Sequence, residues 1–511
     1  MSTSTKRWVL LAAILLASLT AACGGGRTPV GGPPPPTGNF SNANLKGQYA
    51  FLMSGTELCS GSSSFFTRAG SFTADGSGHI TGGLEDVNVC TGVFTLQFTN
   101  STYSITADGR GTLSLTNSTG TTNYSITLSS ATAGVIAETD VNLTASGSFQ
   151  RQNVAAFSDL AIIGGYVFDF AGITSTPNPE SVIGRFDAVG GGVITSGLFD
   201  SNVAGTPSGQ QSFPAGAFYK LDTNGDGTNF GRGTANIAGH NFAFYIVDAT
   251  RLKLLGSDFP AAFSGEAFAQ QNISFTAASL NSGFAFLIGG SSSTGPIATA
   301  GRFTADGAGN LTSIFLDENN SGNLTLLPSQ GGTVTGTYTV DTGGFGGGTA
   351  TWTDTKAGTF SFIFYLISPT NAVFQEIDSK ITSDGTLLAQ TAGPVSPATL
   401  AGDFAFVWSG VSTDEEDFVG QLKLTSASGN NATGIMDFNE FAAGQQFFNI
   451  KFDGPLTIVP PGTGPNTLVA TTTLPSPTTF NFTAYAVDSN NVFLVGVDKT
   501  RVIAGSVVRQ P

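Results

Sequence analysis

The feature that most constrains this chain is an internal repeat. An aromatic start motif appears as Gly47-Gln-Tyr-Ala-Phe51, Gly164-Gly-Tyr-Val-Phe168, Ser282-Gly-Phe-Ala-Phe286 and Gly402-Asp-Phe-Ala-Phe406, and its last aromatics are 117, 118 and 120 residues apart. A glycine-led triplet follows each time: Gly70-Ser-Phe72, Gly184-Arg-Phe186, Gly301-Arg-Phe303 and Gly420-Gln-Leu422. Next comes Asp-x-Asn, as Asp86/Asn88, Asp200/Asn202, Asp317/Asn319 and Asp437/Asn439. A late aspartate (Asp140, Asp258, Asp378, Asp498) and a final glutamine (Gln152, Gln270, Gln390, Gln510) complete each copy. Five landmarks in one order at one period mean four homologous units, at 45–152, 159–271, 279–391 and 399–511. The period is too long for one propeller blade or solenoid rung, so the expectation is four separate domains in series, like beads on a string.

Each unit reads as β structure. Apolar residues alternate with period two, as in Tyr49-Ala-Phe51 and Tyr103-Ser-Ile105, and Phe360–Ile367 is nearly continuous, as suits a strand buried on both faces. Thr, Val, Phe and Tyr dominate these runs, and Gly, Asn and Asp punctuate them. No amphipathic helix is evident beyond the first residues. The fold class is therefore all-β, with four tandem antiparallel barrels or sandwiches of about 110–120 residues, each holding roughly eight to ten strands.

The stretch Asp75-Gly-Ser-Gly78 tests that reading, because it resembles both a ligand loop and a turn. Unit 3 repeats it as Asp306-Gly307, but unit 2 has Val189-Gly-Gly-Gly192 and unit 4 has Ser426-Ala-Ser-Gly-Asn430. A ligand site would lose its aspartate in those copies, whereas a turn would not. Asp-Gly between alternating strands predicts a hairpin of type I′.

The N-terminus carries a different signal. Lys6 and Arg7 precede an apolar run, Trp8 to Ala22, that is short for a membrane span and ends in Leu19-Thr20-Ala21-Ala22-Cys23. Small residues directly before a cysteine resemble the lipobox of bacterial lipoproteins, although leucine stands four residues before Cys23 rather than three. The resemblance implies a signal peptide over 1–22, a lipid on Cys23 and attachment to a membrane through that lipid. Gly24 is not the aspartate that retains such lipoproteins at the inner membrane, which points to the outer membrane. Residues 23–44 form a Gly/Pro-rich linker, able to reach on the order of 60 Å at about 3.1 Å per residue. With Cys23 lipidated, Cys59 and Cys90 remain as an even pair, and an exported compartment favours a disulfide between them.

Composition removes some partners. Lys+Arg total 20 against Asp+Glu 35, a net charge of −15, which repels phosphate backbones and excludes nucleic acid. The calcium candidate is Asp222-Thr-Asn224-Gly-Asp226-Gly, whose oxygens stand at positions 1, 3 and 5 of an EF-hand-like loop, but position 12 is Gly233 rather than Glu. Only His79 and His240 are present, with no second histidine at metal spacing, and Gly-x-Ser-x-Gly is absent. Glu138 with Asp140 and Glu376 with Asp378 are the paired carboxylates a glycosidase would need, yet they occur in two units only. The recurrent late aspartates read as caps on strand ends, and Tyr49, Phe51 and their counterparts read as core.

The functional expectation is a non-enzymatic exported lipoprotein, with no cofactor beyond the calcium candidate. It presents β domains for adhesion, recognition or structural spacing, with a glycan or protein ligand. The alternatives are a ligand-binding barrel for small apolar or glycan molecules, expected to show a cavity inside each unit, and a polysaccharide-active hydrolase.

Overall fold

The computed structural model describes residues 38–511 apart from 223–229, 392–395, 427–430, 442–443, 460–465 and 475. Cys23 and most of the 23–44 linker therefore lie outside the described residues, as does the whole of the segment 1–22.

Unit 1 contains β1 (Lys46–Cys59), β2 (Ser62–Asp75), β3 (His79–Val89), β4 (Gly92–Gln97), β5 (Ser101–Ile105), β6 (Arg110–Asn117), β7 (Gly120–Ser130), β8 (Ala133–Glu138) and β9 (Leu143–Arg151). The ladder runs β1-β2-β3-β5-β6-β7-β8-β9 and returns to β1, so eight antiparallel strands close a barrel while β4 hangs on the outer edge of β3. Units 3 and 4 close in the same way. Among the described residues unit 2 stays open: its strands Ile194–Val203 and Phe218–Leu221 do not form a ladder, and the isolated bridge Val193–Phe218 spans the gap. Phe213 fills that gap, packing edge-on to Phe168 and Phe199 at 5.8 and 5.7 Å between ring centres.

Two of the repeated landmarks explain one another. The glycine of each Gly-x-Phe or Gly-x-Leu triplet lies beneath the last aromatic of the start motif. A Cβ placed there would stand 2.6, 2.7, 2.5 and 2.6 Å from the rings of Phe51, Phe168, Phe286 and Phe406. Only glycine lets the ring lie flat on the neighbouring strand, which lets a narrow barrel pack aromatic rings in its interior. A short helical turn ahead of each barrel tucks one aliphatic residue (Leu45, Ile162, Leu280 or Leu400) into the open end.

The Asp75 hairpin is a turn, but not the two-residue type I′ form expected from the sequence. Its loop is Gly76-Ser77-Gly78, with positive φ at Gly76 (84°) and Gly78 (111°) but not at Ser77. Asp75 Oδ1 accepts from the amides of Ser77 and His79, and this side-chain bonding makes room for the extra residue. Asp306 does the same with Ala308 and Asn310.

The larger correction concerns how the units are joined. They are not beads on a string. Unit 1 packs on unit 2 through Ala50, Ala69 and Leu84 against Tyr245, Val247 and Leu255. Unit 2 packs on unit 3 through Val167 and Ile183 against Tyr365 and Val373, and unit 3 on unit 4 through Ala285 and Ala300 against Tyr485 and Val495. Unit 4 then returns to unit 1, with Ala405 and Val419 against Val135 and Ala137. Each unit uses the outer face of β1–β3, or its equivalent, to cover the outer face of β7–β9 of the next. The same head-to-tail contact made four times closes a ring, the expected outcome of a heterologous interface whose rotation closes.

Candidate functional site

The site-forming residues are the landmarks that face outward. On β3, Asp86 and Asn88 share the face that carries Leu84, because side chains alternate along a strand. Asn88 Nδ2 donates to the carbonyls of Gly256 and Ala261 in unit 2, both at 2.8 Å. Asn202 donates to Glu376 and Ile381 of unit 3 at 3.2 and 2.8 Å. Asn319 reaches Gly496, Asp498 and Arg501 of unit 4 at 2.9, 2.9 and 2.7 Å. Asn439 completes the circuit on Glu138, Asp140 and Leu143 of unit 1, at 3.2, 3.0 and 2.5 Å. The neighbouring aspartates accept a tyrosine hydroxyl across three junctions: Tyr245 to Asp86 at 2.6 Å, Tyr365 to Asp200 at 2.7 Å and Tyr485 to Asp317 at 2.5 Å. At the fourth, Ser125 donates to Asp437 at 2.9 Å. Burial raises Asp200 and lifts Asp317 to about 6.

The final glutamines act in the same direction. Gln152 donates to Phe230 and Ile246, Gln270 to Phe345 and Leu366, Gln390 to Ala486, and Gln510 to Asp108 and Leu128. Two landmarks that mark the repeat in sequence are thus the polar fastenings of the ring. The late aspartates cap strands instead: Asp140, Asp258 and Asp498 each accept both the backbone and the side-chain amide of Asn123, Asn241 or Asn481.

A space of about 670 Å³ lies between barrels. Ser54 and Phe65 of unit 1, Ile173 and Glu180 of unit 2, and Lys380 and Asp384 of unit 3 line it. Units 1 and 3 are not neighbours, so a space lined by both lies toward the middle of the ring. Burial pushes Asp384 up to about 7 and Glu180 up to about 6. Asp169, on the outer face of unit 2, is raised by burial and then by the charges of Asp384 and Glu266. At the junction of units 4 and 1, burial and the charge of Asp417 raise Glu415, while Thr144 and Ser146 of unit 1 donate to Asp417 at 2.8 and 2.5 Å. A cavity of this volume, walled by acids and serine hydroxyls, can hydrogen-bond a small polyhydroxylated or cationic molecule.

Barrel interiors offer less. The space left inside barrel 4 is about 10 Å³, no more than a water occupies. Barrel 3 is filled by Trp352 on Phe362 at 4.3 Å and Phe362 on Phe374 at 4.7 Å. Tyr49 and Phe51 are likewise core residues, with the Tyr49 hydroxyl on the Ala131 carbonyl at 2.8 Å.

The other sequence candidates are dispersed. Cys59 and Cys90 are joined by a disulfide between the end of β1 and the β3–β4 turn. Asp222 pairs with Arg232 at 2.8 Å, and Asn224 and Asp226 lie outside the described residues. His79 rests on Asp75 at the exposed hairpin, while His240 lies between the rings of Phe170 and Phe263, 3.8 Å from Glu180. Glu138 and Glu376 continue the inward faces of β8 and its unit 3 equivalent and are fully buried, whereas Asp140 and Asp378 lie beyond the strand ends, so neither pair shares an open cleft. Among the described residues no group of three or more His, Cys, Asp and Glu side chains is placed to hold a metal, and no helix is long and apolar enough to cross a membrane.

No family model matches the chain, and no curated protein does. Among solved structures, transferrin binding protein B of serogroup B Neisseria meningitidis aligns at 6% identity over 74% of this chain and 85% of its own, with a TM-score of 0.20. A point mutant of the same antigen from Haemophilus parasuis Hp5 aligns at 8% identity over 74% and 84%, with a TM-score of 0.19. Scores this low do not establish a common architecture, so the ligand named for those proteins carries no weight here.

Proposed function

We propose that the chain is a non-enzymatic cell-envelope lipoprotein that presents its four barrels as one rigid ring for adhesion, recognition or spacing. The observation that carries this reading is the closure itself, through Asn439 and Gln510 of unit 4 on unit 1. A closed ring fixes the loops of all four barrels relative to one another, which a flexible string does not, and a fixed array suits repeated recognition. The lipobox-like end and the linker support export and a lipid on Cys23, with the outer membrane as the site of anchoring. Mass spectrometry of the mature N-terminal peptide tests the anchor. Diacylated Cys23, with Cys23→Ala moving the protein into the soluble fraction, is the expected result; an unmodified Cys23 in mature protein sinks the anchoring.

A second reading rests on the cavity between the barrels. Its volume and its Glu180, Asp384 and serine walls favour a small glycan held at the middle of the ring. A glycan array with turnover measured alongside separates the readings. Binding lost in Asp384→Asn without turnover supports the pocket, and product formation would transfer the case to a polysaccharide hydrolase.

A further inference from the structure

The four barrels fill one of their ends differently. In barrel 1, Arg68 is buried with Nη1 2.9 Å from Glu85 and Nη2 3.6 Å from Glu138. In barrel 4, Arg501 lies 2.8 Å from Glu416, and in barrel 2 His240 lies 3.8 Å from Glu180. Barrel 3 lacks the base, keeps one acid as Glu376 and gains another, Glu318, at the position of Val87, while Leu316 stands for Glu85. Arg68 stands two residues before Gly70, the glycine under the start-motif ring; two residues before Gly301, its counterpart, stands Thr299. Glu376 matches Glu138, each two residues before the late aspartate, and Glu318 lies opposite Thr299 in the ladder.

Alternation turns all three inward. Thr299 shares a face with Gly301 and Phe303, Glu318 with Leu316 and Ile314, and Glu376 with Phe374 and Ala372, and those apolar partners belong to the barrel 3 core. Thr299, Glu318 and Glu376 are 1%, 6% and 0% exposed. Thr299 Oγ1, Glu318 Oε2 and Glu376 Oε1 have no hydrogen-bond partner among the described residues. The Ser383 hydroxyl is on Glu376 at 3.1 Å and that of Thr325 on Glu318 at 3.5 Å. Neither carboxylate has a Lys, Arg or His partner among the described residues, and each is raised first by burial, with Glu318 and Asp378 further raising Glu376.

Two carboxylates withdrawn from water without counter-charge are strongly unfavourable, so they take up protons or a cation. Protons would neutralise the carboxylates one at a time, whereas a cation would engage both of them together with the Thr299 hydroxyl opposite Glu318. An all-oxygen set on mobile glutamate arms suits the larger, geometrically tolerant Ca²⁺ better than Mg²⁺, which demands near-ideal octahedral geometry. We propose that barrel 3 binds one Ca²⁺ between Glu318, Glu376 and Thr299, in the place that the Arg68 guanidinium fills in barrel 1.

Titration calorimetry of CaCl₂ into the EDTA-stripped full-length chain at pH 7.5 tests this, paired with thermal melts. One Ca²⁺ per chain is expected, weakened at least tenfold in Glu376→Gln and in Glu318→Gln. Thr299→Arg, which copies the barrel 1 arrangement, is expected to abolish binding while the chain melts cooperatively without calcium. Asp226→Ala should leave the affinity unchanged. Absence of binding overturns the proposal, as does binding that Asp226→Ala removes and the barrel 3 variants leave intact. Should Glu376→Gln fail to fold, Thr299→Arg and Glu318→Gln decide the matter.

Discussion

Gln510 Nε2 donates to the carbonyl oxygen of Leu128 at 2.7 Å, joining residues 382 positions apart in sequence and fastening unit 4 to unit 1. The Leu128 carbonyl is repeated as Ile246, Leu366 and Ala486, each taken by the glutamine of the preceding unit. A string of barrels would leave the last glutamine without an acceptor. A ring uses all four alike.

Removing that fastening should open one junction and leave three intact. Gln510→Ala strips a donor from the buried carbonyls of Asp108 and Leu128, and Asn439→Ala strips one from three carbonyls of unit 1. Each is expected to cost about 1–3 kcal/mol, the penalty for leaving buried acceptors unpaired. Urea midpoints measure the cost, and hydrogen exchange should quicken in the β7–β9 segment of unit 1 but not at the other junctions. Unchanged exchange there would mean the ring does not depend on these side chains.

Acid should stabilise the protein. Asp384 and Glu318 are lifted to about 7, Glu138 to about 7, Glu180 to about 6 and Asp317 to about 6, against ordinary values of 3.8 for Asp and 4.5 for Glu. The folded chain therefore holds protons that the unfolded chain releases between those limits, so this stability is present below about pH 4.5 and is lost as pH rises through 6 and 7. His240, pushed down by burial, works the other way below 6.5, but it is one group against five. Asp354, held down to about 2, acts only below 3.8. In EDTA, the melting temperature is expected to be higher at pH 5 than at pH 7.5, and Asp384→Asn should flatten that slope by raising the value at pH 7.5. A profile that climbs toward pH 7.5 would contradict the assignment.

Much of the architecture was legible in the sequence, for a reason specific to repeats. Period-two alternation around Tyr49-Ala-Phe51 gives strands, and four copies of the same landmarks give four units. Barrel as against sandwich stayed open, because Phe51 and Phe72 face inward in either. The closure from β9 to β1 is a long-range pairing with no local mark. The ring was written in Asp86 and Asn88, which alternate onto the outer face with Leu84, but an outward polar pair reads equally as a strand cap. The decisive clue was that Asn439 and Gln510 persist in unit 4, where a string would have no further unit for them to hold. Glu318 escaped notice, and Glu376 was read with the wrong partner, because sequence spacing places Glu376 beside Asp378 whereas the barrel turns it away and inward.

The Cys59–Cys90 bond should matter locally. Their separation of 31 residues gives about 3.5 kcal/mol on the chain-entropy account of loop closure. The bond ties the free end of the β1–β2 hairpin to the β3–β4 turn, so reduction should lower the unfolding midpoint of barrel 1 while leaving barrel 3 unaffected. Hydrogen exchange with and without dithiothreitol resolves the two. Equal loss in both barrels would show instead that the ring unfolds as one cooperative body.

Two glycines of unit 3 should respond in opposite ways to the same substitution. Gly301 lies under the Phe286 ring, and a Cβ there would stand 2.5 Å from that ring and 2.5 Å from the Phe315 carbonyl. Neither neighbour can retreat, since Phe286 is wedged against Trp352 at 5.7 Å and Phe374 at 5.3 Å, and the carbonyl belongs to the adjacent strand. Gly301→Ala is therefore expected to cost about 1–3 kcal/mol through overpacking. Gly289, on the same hairpin, has its nearest neighbour at 3.8 Å and no positive φ. Gly289→Ala should be neutral or stabilising by about 0.4–1 kcal/mol, because it restricts the unfolded chain without straining the folded one. Urea denaturation of both variants measures the contrast. Equal tolerance at the two positions would mean that the ring-on-glycine contact does not constrain the barrel.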